Sequence, residues 1–175
     1  MDDEQKHLGM AGHLLVLMVW VQNVMSNLII LKQNPEMLRD FQEKKTNTDY
    51  GEKRIEYWQK SFGQVKRAFV QTFPEIVETY GNDLNQLQHL RDFFAHARYS
   101  LKSEIIFYQP SKSRRDLQEK VEILTKHPFD EDQTFMKVKM NGEKYHEIFQ
   151  ELMKFENEIF PKVAEQLDID LNRLK

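Results

Sequence analysis

Cysteine is absent from the 175 residues, so the chain has no disulfide framework, no thiolate nucleophile and no cysteine-based zinc site. That composition fits a reducing interior, and the cytoplasm is the expected location. Glycine and proline are sparse, at six and five, and no Pro/Gly/Ser linker, low-complexity tract or internal repeat interrupts the chain. The phosphate-cradling glycine loop, the G-x-S-x-G nucleophile turn and the H-E-x-x-H metal helix are missing as well. Nor is there a surplus of positive charge. Twenty-five Lys and Arg against 28 Asp and Glu leave a formal net charge of -3, which argues against bulk coating of nucleic acid and requires any such binding to rest on a local site.

What is present is core material: 40% of the residues are apolar and twelve are Phe, against 30% charged. This is enough to fold and too much to stay disordered. The length suits a single domain, residues 1–175, carrying an inserted segment at about 103–142. The stretch "HLLVLMVWVQNVMSNLIIL" is the most apolar. Its uninterrupted run, Leu14 to Val21, is too short to span a bilayer; Gln22, Asn23, Ser26 and Asn27 follow, and the acidic "MDDEQ" before it is unlike a signal peptide. It reads as a helix buried on most sides, in a bundle or at a dimer contact, with one polar stripe, and no membrane is expected as a partner.

The fold class expected is mainly α, with a small antiparallel β-hairpin before the last helix. A first helix covers residues 3–32, and Pro35 and its neighbour Asn34 interrupt it. A short helical piece through Met37, Leu38 and Phe41 follows, and "KKTNTDYG" reads as a loop. Ile55, Trp58, Phe62, Val65 and Phe69 then recur every three or four residues, which predicts one long helix with a buried stripe over 52–72. Asp83, with Gln86 three residues on, suits the cap of a third main helix burying Leu84, Leu87, Leu90, Phe94 and Ala97. "EIIFYQP" and "TFMKVKMNG" read as paired strands, with a short helix over 115–125 between them. A closing helix over 143–166 buries a subset of its apolar residues, and Pro161 bends it.

The third helix carries the chemistry. In "LRDFFAHARYS", Asp92 and His96 are four apart and share a face, so Asp92 is placed to accept a hydrogen bond from one imidazole nitrogen and orient the ring. Arg91 lies about 140° around the axis from His96, but its long stem can bend toward the same rim. One imidazole and one guanidinium suit phosphodiester cleavage in RNA. His96 takes the proton of a ribose 2′-hydroxyl, Arg91 holds the phosphate oxygens, and no metal or other cofactor is required. Because the 2′-hydroxyl is the nucleophile, RNA is the substrate. The plain alternative, a solvated or salt-bridged helix edge, has the same spacing. His89, Asp92 and His96 also form an H-x2-D-x3-H stripe with metal-ligand spacing but no evident fourth ligand.

"RDFFAH" resembles the R-x4-H motif of the HEPN superfamily (higher eukaryotes and prokaryotes nucleotide-binding), with Arg91, Asp92 and His96 in the motif positions. The order of elements, two long helices, the motif helix, a strand pair and a closing helix, is similar to HEPN-like proteins of prokaryotic defence and toxin systems. The resemblance implies a bundle of four or more helices, a homodimer in which motifs from both copies face a shared cleft, and metal-independent endoribonuclease activity. A possible antitoxin or regulatory protein partner is also implied. Two positions depart from the pattern: Asp92 stands where Asn is commoner, and Ala97 where Gly is often found. A non-catalytic module binding RNA, a nucleotide or a protein is the alternative that Asp92 leaves open. Outside the motif, Arg98 and Tyr99, and the basic knot of Lys112, Arg114 and Arg115 followed by Lys120 and Lys126, are candidates for guiding an RNA strand. Tyr99, Tyr108 and Phe107 are candidates for stacking on bases, and core packing explains Phe107 equally well.

Overall fold

The computed structural model describes residues 3–100, 103–110 and 114–174. It is mainly helical, as expected, with eight α-helices and one three-stranded antiparallel sheet among the described residues. The chain forms two compact units: residues 1–18 with 85–151, and residues 19–84 with 152–175.

The second unit is all-helical. Its centre is the latter part of α1 (Asp3–Gln33), where every residue from Val24 to Leu31 is buried. A helix apolar all round has to be surrounded. Over Lys6–Gln33 this helix is long and apolar enough to cross a membrane by length and composition, and 61% of its most apolar window is buried inside the protein. Asn34 and Pro35 end it, and α2 (Pro35–Gln42) starts with that proline in its first turn.

The long helix expected over 52–72 is two helices, α3 (Thr48–Trp58) and α4 (Phe62–Thr72). Ser61 accepts from the Gln64 backbone N–H while the Gln64 side chain accepts from the Ser61 N–H, a reciprocal cap that satisfies free donors and starts a new helix. The predicted stripe divides at the same point. Phe62, Val65 and Phe69 are buried, whereas Ile55 and Trp58 remain 53% and 57% exposed. The Arg54 guanidinium lies 5.6 Å from the Trp58 ring centre and 5.9 Å from that of Tyr50.

The motif helix, α5, runs Pro74–His96 through a non-helical residue, Tyr80 (φ -119°, ψ 16°). Asp83 therefore lies inside the helix and does not cap it; its carboxylate accepts from Lys154 at 2.6 Å. The closing helix has three parts: α7 (Gly142–Lys154), a π-helical turn at Phe155–Ile159, and α8 (Phe160–Leu167), which places Pro161 in the first turn of α8. The wider π turn leaves the proline's missing donor near a helix start, where it costs least.

The first unit holds the inserted segment. β2 (Ile105–Tyr108) pairs antiparallel with β3 (Met136–Lys139), as expected, and α6 (Arg114–Thr125) lies between them in sequence. A short strand, β1 (Arg98–Tyr99), adds to the free edge of β2, so the sheet order is β1-β2-β3. Ile106, Tyr108, Met136 and Val138 face the core, at 0 to 5% exposed, and the alternate residues face outward.

Candidate functional site

The last turns of α5 bury Leu87, Leu90, Phe93 and Phe94. Ala97, expected on that face, lies past the helix end and is half-buried, and Phe93 takes its share of the packing. With those side chains inward, Arg91 and Asp92 fall on the half-buried margin, their side chains 31% and 33% exposed, and His96 is exposed at the last position.

The pairing within the motif differs from the expected one. Arg91 Nη1 donates to Asp92 Oδ1 at 3.4 Å. His96 has no hydrogen-bond or ion-pair partner among the described residues, so Asp92 holds the guanidinium and leaves the imidazole unoriented. The exposed, unanchored ring is free to meet a ligand. Arg91 keeps further donors in its fork beyond the one on Asp92.

The metal-spaced stripe does not assemble. His89 Nε2 lies 3.6 Å from Glu119 Oε2 on α6, and among the described residues no three His, Cys, Asp or Glu side chains converge as a metal cluster.

Immediately past α5 the chain is tied down. The Ala97 N–H donates to the Phe93 carbonyl at 2.8 Å and the Tyr99 hydroxyl to the Phe94 carbonyl at 2.5 Å. Burial pushes the Tyr99 hydroxyl up to about 12. Tyr99 pairs with Ile106 on the sheet while Arg98 pairs with Phe107, so Arg98 and Tyr99 point to opposite faces. Of the residues proposed to meet RNA, Arg98 is exposed. Tyr99 is half-buried with its hydroxyl committed to the backbone. Arg115, 85% exposed, donates to Glu119 at 2.9 Å. The Arg114 guanidinium sits 5.7 Å from the Phe129 ring centre. Lys112 lies outside the described residues.

Lys120 is a correction. Grouped by sequence with the exposed basic run, it is 1% exposed, and its ammonium donates to Asp116 and lies 5.2 Å from the Tyr108 ring centre. The Tyr108 hydroxyl donates to the other Asp116 oxygen at 2.6 Å. Burial, then the hydrogen bond to Asp116, then the charges of Asp116 and Asp92 push the Tyr108 phenol upward. Burial alone would raise Asp116, but the hydrogen bonds from Lys120 and Tyr108 outweigh it and hold the carboxyl below its usual range. This Tyr-Asp-Lys network joins α6 to β2, and Phe93 of the motif helix packs on Tyr108 with ring centres 5.8 Å apart. The sequence signal was available: Asp116 and Lys120 are four apart on a helix that buries Leu117, Val121 and Leu124.

Two histidines of α1 also make contacts across this unit. His7 is 1% exposed, its Nε2–H donates to the Ser100 carbonyl at 2.8 Å, and its Nδ1 lacks a partner among the described residues. His13 is exposed in a groove of about 600 Å³ and meets the Tyr145 hydroxyl at 2.6 Å. Comparison with protein-family models, curated proteins and solved structures found no match.

Proposed function

We propose that this chain is a metal-independent endoribonuclease of the HEPN defence or toxin type, acting in the cytoplasm as a homodimer. The observation that carries the reading is the presentation of Arg91 and His96 at the exposed end of one helix, with the imidazole uncommitted. His96 is the general base and Arg91 the phosphate ligand. Two copies of the motif around one phosphodiester supply both imidazoles that transesterification uses. One takes the 2′-hydroxyl proton as the 2′-oxygen attacks phosphorus; the other protonates the departing 5′-oxygen as the P–O5′ bond breaks. The products are a 2′,3′-cyclic phosphate and a 5′-hydroxyl. An antitoxin or regulatory protein is the partner that such a toxin requires.

Asp92 has a different part from the one its spacing suggests. It neutralises Arg91 in the resting protein and yields when a phosphate takes the guanidinium. The Arg91–Asp92 pair also favours the second reading, a non-catalytic module that binds RNA, a nucleotide or a protein without cutting. Cleavage of RNA in EDTA by the purified dimer, with cyclic phosphate ends identified by mass spectrometry, is the expected result. Binding without cleavage establishes the second reading instead, and cleavage lost on chelation rejects the chemistry.

Asp92→Asn discriminates further. Because a half-exposed ion pair is worth up to about 1 kcal/mol, releasing Arg91 raises kcat/KM by up to about 5-fold. An Asp92 that oriented His96 would give a loss instead.

A further inference from the structure

From the outward face of the sheet we infer a single-strand platform: Phe107 stacks on an unpaired base while Arg98 and Lys137 hold the flanking phosphates. The register sets these three in one row, since Phe107 is paired directly with Arg98 on β1 and with Lys137 on β3. All three project away from the core, because Ile106, Tyr108, Met136 and Val138 take the inner side. Phe135, 43% exposed, lies beside the row. The Lys137 ammonium is 5.8 Å from the Phe107 ring centre and 5.3 Å from that of Phe135. Together with Gln109 and the edge of Tyr108 these side chains line a groove of about 470 Å³.

The chemistry of the face selects its occupant. Two aromatic rings, Phe135 exposed and Phe107 half-buried, lie among cations, and neither Arg98 nor Lys137 has a carboxylate partner among the described residues. Lys139 is the cation on this face that is paired, with Glu104 at 3.3 Å. Cations without counter-charges around flat apolar surface match a strand with phosphates along its backbone and free base faces. A duplex hides those faces in its own stack. Position links the platform to the motif helix: Arg98 follows His96 by two residues, so their Cα atoms are at most about 7 Å apart, and the Tyr99 and Ala97 hydrogen bonds fix that step. The choice of RNA over DNA rests on the ribonuclease reading; the platform itself does not.

The test is fluorescence anisotropy with the full-length protein, using a labelled 2′-O-methyl oligoribonucleotide, which cannot be cleaved by 2′-oxygen attack, and its blunt duplex. The single strand is expected to bind more tightly than the duplex. Phe107→Ala is expected to weaken single-strand binding about 10-fold, within the range one base–aromatic stack supplies, while Phe107→Tyr retains it. Lys137→Gln is expected to flatten the dependence of log K on log salt by about 0.7. Thermal denaturation checks that each variant folds, and Arg98→Gln gives an independent loss if Phe107→Ala unfolds. Equal binding of duplex and single strand overturns the platform, as does full affinity in Phe107→Ala or equally effective competition by an oligoglutamate peptide. Binding with these properties in a protein that cuts nothing leaves the platform standing and removes the nuclease. Cleavage that persists while Phe107→Ala, Arg98→Gln and Lys137→Gln bind the single strand as tightly as the parent does the reverse.

Discussion

His96→Ala is expected to lower kcat/KM for RNA cleavage by about 10²- to 10⁴-fold, the range that a positioned proton-transfer group contributes, with little change in thermal stability. The separation of the two effects comes from where the ring sits. It is exposed, at the last position of α5, and has no hydrogen-bond or ion-pair partner among the described residues, so its removal opens no cavity and strands no polar group. Arg91→Ala is expected to cost about 10²- to 10³-fold, as for loss of one donor set aimed at developing negative charge. It has a structural side effect that His96→Ala lacks, because it leaves Asp92 without its cation near the Tyr108 phenol. Co-expressing the two variants examines the shared cleft. If one phosphodiester is held between the two copies, the mixed dimer keeps one Arg91 and one His96 around it and recovers the part of the activity that a single imidazole supports. Two self-sufficient sites recover none. Single-turnover cleavage of a short single strand reads all of these, and full activity in His96→Ala removes the proposed mechanism.

The motif was legible because its helix is bounded by a simple apolar repeat: Leu84, Leu87, Leu90 and Phe94 are buried, so the polar residues between them had to lie on the margin. Which margin residues touch was not legible. Asp92 is within reach of His96 four residues on and of Arg91 beside it, and the longer, flexible guanidinium reaches it. Phe107 and Tyr108 show a similar ambiguity. "IIFY" is apolar throughout, so β2 alone has no inside and outside; β3, "MKVK", alternates clearly. Once Phe107 is known to oppose Lys137, its direction follows. Read without register, Phe107 was assigned to the core as readily as to a surface, and Tyr99 was offered as a base-stacking residue. The break at Ser61 was missed for another reason. Phe62, Val65 and Phe69 continue the spacing of Ile55 and Trp58, so periodicity carried the helix across a point where the Ser-x-x-Gln cap ends it. The burial of Lys120 ran against the strong prior that lysine stays in water. Only its spacing from Asp116 on the apolar side of α6 argued otherwise.

Asp116→Asn is expected to destabilise the protein more than any other single change near the motif. It leaves the Lys120 ammonium, 1% exposed, without the carboxylate that faces it. Removing one member of a buried pair costs about 3 to 5 kcal/mol; Asp116 is itself 35% exposed, so water reaches the site and about 2 to 3 kcal/mol is the appropriate figure. For a chain of this length that lowers the Tm by roughly 5 to 10 °C. Lys120→Met removes the buried charge and fills the same space, so it is expected to stay within about 1 kcal/mol of the parent, and adding it to Asp116→Asn should return most of the loss. The pH dependence has a definite sign. Asp116 is held below its usual range in the folded chain, so its contribution is present above the unfolded carboxyl value of about 4 and is lost as pH falls through the lower folded value. Urea unfolding at pH 7 and at pH 3 is therefore expected to show a gap between parent and Asp116→Asn that narrows in acid. Tyr108 acts oppositely: its raised phenol stabilises the fold below about pH 10 and that contribution fades as pH climbs toward the folded value. A gap that persists unchanged at pH 3 would mean that the carboxylate's charge is not what holds Lys120 inside. The packing of Phe93 on Tyr108, and with it the support beneath the motif helix, would then depend on apolar contact alone.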